Sequence, residues 1–282
     1  MKVNYNVHYS TDELKKLQSI EKFMLKDFIA ACKQLNIQYV LYGGTLLGAV
    51  KYNGFVPWDD DVDVALLRED YEVFIKEADN LLKDKYIIQT PHNCPLSPFP
   101  YTKIRKKGTC FVDYSSRNVP IDNGIYIDVY PIDKIPDNEI LRRKQFNRAR
   151  RNILLYVYRQ MPLYDNEPKT VKGIVRRIAK WSIYKALRML PQKLYADNID
   201  RAMTIYNGSN TDRYAALNSP NYQNIYLHLF PLETGTFEGM EVCLPGDYHT
   251  HLTMRYGDYS GLPPEDKRYG HIPYKLDFGT DA

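Results

Sequence analysis

The sequence predicts an α/β protein in which helices flank a mixed β-sheet. The two-residue alternation of a strand occurs at residues 61–67 and 124–131, a short apolar run at 39–42 also indicates a strand, and a further strand is predicted at 101–106. Segments with helical spacing of apolar residues separate these runs, which favours a mixed α/β sheet. The chain has 282 residues, of which 44% are apolar, so it can bury a sizeable core.

The first helix is predicted to begin after Ser10 and to run to about Asn36. Ser10 and Glu13 have the spacing of a capping box, in which each side chain binds the backbone N–H group of the other residue. Apolar residues then recur at helical spacing: Leu14, Leu17, Ile20, Phe23, Met24, Phe28 and Ile29.

A glycine pair, Gly43 and Gly44, lies between a predicted strand, Tyr39–Tyr42, and a predicted helix, Thr45–Tyr52. A glycine turn that opens a helix leaves backbone N–H groups unpaired at the positive end of the helix dipole, which suits phosphate oxygens. The turn is therefore a candidate phosphate site. The alternative is that the glycines form only a tight connection from strand to helix.

Four carboxylates follow within five residues: Asp59, Asp60, Asp61 and Asp63. The alternation predicts a strand with Asp61 and Asp63 on one face, about 6–7 Å apart. Such a cluster is destabilising unless a cation or solvent relieves the repulsion, and we expect Mg²⁺, or Mn²⁺, to bind here. An EF-hand is excluded because Val64 stands where that loop needs glycine, and the helical aspartate motif of prenyl-diphosphate enzymes is excluded because Val62–Val64 has a strand pattern.

The next predicted elements are a helix, Arg68–Leu82, and strands at 86–89, 101–106 and 124–131. In the last strand, Asp128 shares a face with Tyr126 and Tyr130 and is a candidate third carboxylate. The alternative is an aspartate on an exposed sheet face. Asp133 follows Pro131 and is predicted in a turn or at a helix cap.

Residues 137–207 are rich in Lys and Arg and are predicted to be helical. From Val171 to Trp181, apolar residues form one face and Lys172, Arg176 and Lys180 lie opposite. Two interpretations remain open: a packed helical subdomain with a solvated basic face, or contact with anionic lipid or a lipid-linked glycan. Farther along, a strand pair is predicted at 237–244 and a helix at 248–256, with His249 and His251 at the surface.

Composition restricts the class of protein. Residues 1–6 contain no apolar signal segment and no later run reaches the length of a membrane span, so a soluble cytoplasmic protein is expected. The four cysteines have no paired spacing, which predicts reduced thiols. Net charge is only +4 and no nucleic-acid motif is present.

These segments together resemble the LicD family of phosphocholine and related phosphotransferases, which belongs to the nucleotidyltransferase superfamily and includes the domain of fukutin-related protein. The signature covers Tyr39 to about Phe74, and similar segments follow in the family's order at 100–109, 124–133, 244–245, 256–259 and 262–271. The resemblance spans nearly the whole chain but weakens between about Arg142 and Tyr222.

The resemblance implies a nucleotidyltransferase-like core at 1–136, an inserted basic helical subdomain at 137–208, and a C-terminal segment, 209–282, that packs back on the core. It further implies metal-dependent transfer of a phospho-alcohol group from a CDP-activated donor to a hydroxyl of a cell-surface glycan or teichoic-acid precursor, with release of CMP. One form of this expectation is that the glycan acceptor is linked to a lipid. The alternatives are a nucleotidyltransferase that moves NMP from an NTP, and a non-enzymatic cation-dependent binder.

Site residues are assigned accordingly. Catalytic roles are expected for Asp61, Asp63 and Asp128, and Asp59 joins them as a metal ligand. Donor or phosphate contacts are expected from Gly43, Gly44, Thr45, Trp58, Lys103, Arg105 and His271. Lys103 and Arg105 alternate on one strand face, and the alternative for both is an ordinary surface charge. His271 matches a family position, and its alternative is a purely structural role.

Overall fold

The computed structural model describes residues 9–114, 116–161, 170–218, 225–268, 270–271 and 273–280. The helices are α1 (Thr11–Leu35), α2 (Gly43–Tyr52), α3 (Arg68–Leu82), α4 (Glu139–Gln160), α5 (Val171–Leu187), α6 (Gln192–Met203) and α7 (Tyr248–Tyr256). The strands are β1 (Val40–Leu41), β2 (Asp63–Leu67), β3 (Tyr86–Gln89), β4 (Thr102–Lys106), β5 (Cys110–Asp113), β6 (Tyr126–Lys134), β7 (Tyr214–Ala215), β8 (Ile225–Tyr226), β9 (Glu233–Phe237), β10 (Met240–Leu244) and β11 (Pro273–Asp277). The N-terminal residues 1–6 and parts of the 256–271 family segments lie outside the described residues.

The central sheet is mixed, which confirms the predicted α/β class. Its strands are ordered β1-β2-β6-β4-β3, and β7 and β8 extend it beyond the end of β6. Strands β2 and β6 are parallel, whereas β1 with β2, β4 with β6, and β3 with β4 are antiparallel pairs. The sheet brings β2 and β6 side by side although more than 50 residues separate them in sequence.

One face of this sheet packs against α1 and α3. Val64, Ile127 and Ile104 lie in the main apolar core, and the rings of Phe28 and Phe74 meet there with centroids 5.2 Å apart. Since side chains alternate between the two faces of a strand, Asp63, Asp128 and Lys103 lie on the opposite face. The packed helices thus fix the position of the polar face.

Several local predictions are confirmed. Ser10 and Glu13 form the capping box, with Glu13 N–H donating to Ser10 Oγ at 3.2 Å and Ser10 N–H donating to Glu13 Oε2 at 2.9 Å. Helices α3 and α7 and strand β3 have the predicted bounds. The four cysteines are free thiols.

Two boundaries differ in ways that bear on the site. Helix α2 begins at Gly43 rather than Thr45, so both glycines belong to its first turn. Strand β2 begins at Asp63 rather than at Asp61, so Asp61 lies in the loop that precedes the strand. Pairing with β6 defines the start of β2, and alternation in the sequence does not report where a partner strand begins.

Asp133 is a further correction, because it lies in β6 rather than in a turn and is 1% exposed. Arg68 holds it through two hydrogen bonds, Nε to Oδ1 at 2.9 Å and Nη2 to Oδ2 at 2.6 Å. Pro131 suggested the end of the strand, since proline is rare inside a sheet. Strand β6 nevertheless continues through Pro131 to Lys134.

In the basic region, the described residues 139–161 and 170–203 contain the helices α4, α5 and α6, of which α4 and α6 pack together. Their apolar side chains, including Phe146, Tyr156 and Ile199, form a cluster with Ala215 that is separate from the main core. Within the described residues no helix is both long and apolar enough to cross a membrane.

Candidate active site

Asp63, Asp128 and Lys103 form a row across three adjacent strands. Asp63 and Asp128 are register partners in the parallel pair β2 and β6, and Lys103 of β4 is the antiparallel register partner of Asp128. Residues in register on neighbouring strands face the same side, with Cα atoms about 5 Å apart. Two carboxylates and one ammonium group therefore meet on the polar face of the sheet.

Asp128 is bound on both carboxylate oxygens. Lys103 Nζ donates to Oδ1 at 2.6 Å, and the Tyr130 hydroxyl donates to Oδ2 at 3.2 Å. Asp128 is 3% exposed and Lys103 is 2% exposed, so the surface interpretations of both residues are wrong. Burial lowers the pKa of Lys103, while the charge of Asp128 opposes that shift.

The two glycines contact the acidic side chains directly. A Cβ atom at Gly43 would lie 2.4 Å from Asp63 Oδ2, and one at Gly44 would lie 2.3 Å from Asp59 Oδ2. Gly43 also has a φ of +58°, a conformation that glycine adopts without strain. Asp59 and Asp63 can approach the start of α2 this closely because residues 43 and 44 lack side chains.

The N-terminus of α2 faces these carboxylates without a side-chain cap. Tyr42 is the N-cap residue and makes no side-chain hydrogen bond there. The first intrahelical bond runs from Leu46 N–H to Tyr42 O, so the N–H groups of residues 43–45 have no partner within the helix. Thr45 instead ties the helix to β2, because its Oγ1 accepts a hydrogen bond from Asp63 N–H at 2.8 Å.

Arg255 of α7 adds a positive charge that the sequence did not predict. Its Nη2 atom lies 3.6 Å from the position of a Cβ at Gly43, and its guanidinium stacks 5.0 Å from the Tyr42 ring centroid. The Arg255 charge opposes the upward pKa shift of Asp63. No local signal in the sequence marks Arg255, since it comes to the site only through the packing of α7.

Burial raises the pKa of the three acidic residues nearest the turn. The pKa of Asp61 rises to about 6 through burial, with the charge of His271 opposing and those of Asp60 and Asp128 reinforcing the shift. The pKa values of Asp59 and Asp63 are also raised, first by burial and then by the charge of Asp61. Asp63 Oδ1 is buried and has no hydrogen-bond partner among the described residues. Buried carboxylates that repel one another and keep a free oxygen fit a hard divalent cation.

Asp60 was not among the predicted site residues. It is 1% exposed and accepts hydrogen bonds from the Tyr9 hydroxyl at 2.5 Å and from His271 N–H at 2.7 Å. Its role is therefore to anchor the segments that contain Tyr9 and His271. In the sequence, Asp60 is one of four aspartates in the acidic run. That position does not distinguish a residue that holds other segments in place from a metal ligand.

His271 lies at the edge of the acidic cluster. Its Nδ1 atom is 3.2 Å from Asp60 Oδ1 and 3.6 Å from Asp61 Oδ2. One ligand atom from each of the three residues lies within 4.8 Å of the others. The hydrogen bond to Asp60 raises the pKa of His271 to about 10, so the ring is an imidazolium at neutral pH. In this form it supplies a positive charge beside Asp60 and Asp61.

Arg105 and Trp58 have partners within the protein. Arg105 is fully buried and donates to Gln89 Oε1 and to Gly124 O, each at 3.0 Å, so it is not a surface charge. Trp58 is half-buried, and the Arg268 guanidinium lies 5.7 Å from its ring centroid. A role for either residue in donor binding stays a prediction.

Glu21 is a third residue near the site that was not predicted, after Arg255 and Asp60. It lies on α1, is 1% exposed, and its Oε2 atom has no hydrogen-bond partner among the described residues. Burial raises its pKa, and the charges of Asp61, Asp60 and Asp59 add to the shift. Its position between Leu17 and Met24 on the apolar side of α1 was the available signal, because a carboxylate is rarely buried there without a reason.

His251 corrects another prediction. It was expected at the surface but is 1% exposed, and its ring stacks on Tyr226 with centroids 4.2 Å apart. Burial lowers its pKa to about 4. It is a neutral part of the aromatic packing behind the site.

Comparison with known proteins agrees with the geometry. Residues 36–160 match the family model described as LicD/FKTN/FKRP, nucleotidyltransferase domain. Over 252 residues the chain is 28% identical to the lipopolysaccharide cholinephosphotransferase LicD of Haemophilus influenzae, covering 88% of this chain and 91% of that protein. A 47-residue stretch is 43% identical to an uncharacterized protein of Rickettsia prowazekii and to one of Rickettsia typhi, covering 17% of this chain and 18% and 15% of those proteins. Residues 36–160 contain Asp63, Lys103, Asp128 and the glycine turn, and this region is a domain of the LicD family.

Proposed function

We propose that this chain is a phosphotransferase that moves a phospho-alcohol group, phosphocholine or a close analogue, from a CDP-activated donor to a hydroxyl group of a cell-surface glycan such as lipopolysaccharide, releasing CMP. The full-length similarity to a lipopolysaccharide cholinephosphotransferase supports the group and the acceptor class. The row of Asp63 and Asp128 beside the uncapped start of α2 is the observation on which the proposal rests. Phosphoryl transfer depends mainly on positioning and charge stabilisation, which this arrangement provides.

Asp59, Asp61, Asp63 and Asp128 would hold Mg²⁺ or Mn²⁺. When bound, the ion supplies positive charge to the oxygens of the donor diphosphate. The free Oδ1 atom of Asp63 and the raised pKa of Asp61 support this assignment. Asp60 is assigned the anchoring of Tyr9 and His271 instead.

The protein's own groups have defined tasks in the proposed reaction. The N–H groups of Gly43, Gly44 and Thr45 bind donor phosphate oxygens, and Arg255 and His271 add positive charge beside them. The acceptor oxygen forms a bond to the phosphorus that carries the alcohol, while the bond from that phosphorus to the CMP oxygen breaks. Asp128 either accepts the proton of the hydroxyl or completes the metal site.

Phosphorus NMR of the products tests the proposal. With CDP-choline, an oligosaccharide acceptor and Mg²⁺, we expect CMP and a new phosphodiester, and chelation with EDTA should stop the reaction. Diphosphate released from an NTP would instead establish NMP transfer, which the nucleotidyltransferase description of the matched domain favours as the second candidate. Consumption of neither a CDP-alcohol nor an NTP would identify a non-enzymatic cation-dependent binder.

A further inference from the structure

Helix α5 turns its apolar side away from the protein. The exposed fractions are 81% for Val171, 51% for Ile174, 62% for Val175, 59% for Ile178 and 47% for Trp181. At about 100° per residue these five positions share one side of the helix. An amphipathic helix of a globular protein normally buries that side.

The opposite side of α5 faces the protein. Gly173 is buried, and Arg177, Lys180, Tyr184 and Leu187 are half-buried. Their spacing of four, three, four and three residues forms one stripe along the helix, and α5 packs against α4. Arg177 and Lys180 therefore lie on the inward side of the helix, while the aliphatic residues lie on the outward side and Lys172 and Arg176 are exposed.

The surroundings of the apolar side are cationic. Residues 168–196 contain no acidic residue and eight cations: Lys169, Lys172, Arg176, Arg177, Lys180, Lys185, Arg188 and Lys193. On the helix, Lys172 and Arg176 are exposed along one edge of the apolar side, Arg188 is exposed along the other, and Lys185 is exposed within that side near its C-terminal end. An apolar strip between two cationic edges is complementary to a surface that is both apolar and negatively charged.

We propose that α5 binds the surface of an anionic lipid bilayer. The apolar side enters the boundary between headgroups and acyl chains, and the cations at its edges contact anionic headgroups. Trp181 lies at the margin of the strip, where an indole ring favours the membrane interface. A second copy of the chain is a poorer occupant, because its α5 would place cations against cations.

Vesicle sedimentation tests the proposal with the full chain. The wild type should bind vesicles of phosphatidylcholine mixed with phosphatidylglycerol, bind phosphatidylcholine alone much less, and dissociate as salt increases. The double variant Ile174→Glu/Ile178→Glu should lose about tenfold or more in affinity. Lys172→Gln/Arg176→Gln should weaken binding to the anionic vesicles and reduce its salt dependence.

Phe23→Glu is the matched control, since Phe23 is 61% exposed on α1 and far from α5 in sequence. It should bind vesicles like the wild type, and all variants should keep the wild-type melting temperature and activity on a soluble acceptor. Absence of wild-type binding to anionic vesicles would overturn the proposal, as would equal losses in Phe23→Glu and the α5 variants. A wild-type dimer that Ile174→Glu/Ile178→Glu converts to a monomer would also overturn it and would assign the strip to a second copy.

Discussion

Asp63 and Asp128 are register partners in the parallel strands β2 and β6. Asp63 is the first residue of its strand, so the pair lies next to the loop that contains Asp59 and Asp61. The sheet therefore brings Asp128, which is 65 residues from Asp63 in the sequence, next to the local acidic run. Lys103 completes the row on the other side of Asp128.

Asp63→Asn should abolish transfer without destabilising the fold. The change removes a buried charge that is repelled by Asp61 and Asp128, so the melting temperature of the metal-free protein should stay the same or rise. Turnover at saturating Mg²⁺ and thermal unfolding are the measurements. Asp84→Asn, at an exposed position, is the control. Turnover above about a tenth of wild type would remove Asp63 from the chemistry.

Asp128→Asn should slow transfer by about a hundredfold or more while donor binding is preserved. If Asp128 accepts the acceptor proton, the Mg²⁺ concentration for half-maximal rate should stay unchanged. If Asp128 is mainly a ligand, that concentration should rise. Normal rate together with normal metal dependence would show that the residue has only the structural contacts to Lys103 and Tyr130.

Gly44→Ala should leave the protein folded but raise the Mg²⁺ requirement. The new Cβ would occupy the position of Asp59 Oδ2, and a carboxylate end can rotate away at little cost. Gly43→Ala should be more severe, because its φ of +58° adds backbone strain. Gly208→Ala is the control, since open space surrounds that position. The activity of the three variants is measured as a function of Mg²⁺ concentration. Equal curves for the three would contradict a role for Asp59.

Lys103→Met should destabilise the protein by about 3–5 kcal/mol, because Asp128 would be left buried without its cation. The double variant Lys103→Met/Asp128→Asn should recover about 2 kcal/mol or more relative to the sum of the single changes. Urea unfolding measures all three proteins. Mg²⁺ should stabilise Lys103→Met more than wild type. Additive losses would mean that the 2.6 Å contact does not couple the two residues.

His92 should make stability depend on pH. Its Nε2 atom lies 2.7 Å from Asp200 Oδ2, and this hydrogen bond raises the pKa of His92 above 6.5. The stabilisation is fully present below the unfolded-state pKa and is lost as pH rises through the folded-state pKa. The melting temperature should therefore fall as pH rises above about 6.5, and by more in wild type than in His92→Gln. His228→Gln, at an exposed position, is the control, and parallel curves for wild type and His92→Gln would refute the linkage.

The local sequence determined those helices and turns whose sequence patterns involve residues close together in the chain. The capping box of Ser10 and Glu13 placed the start of α1, and the periodicity of Arg68–Leu82 placed α3. The acidic run and the glycine pair identified where to look for a site. These signals are local because capping, turns and helical spacing involve neighbours in the chain.

Tertiary structure decided the partners of those residues. Three contacts join residues that are far apart in the sequence. Lys103 and Asp128 are 25 positions apart, Asp60 and His271 are 211 apart, and Arg68 and Asp133 are 65 apart. Periodicity found the apolar side of α5, but only packing against α4 showed that this side points outward. Sequence gives each side chain its chemistry and its side of a helix or strand. The sheet register and the packing of helices determine which atoms meet, since those contacts depend on the whole chain.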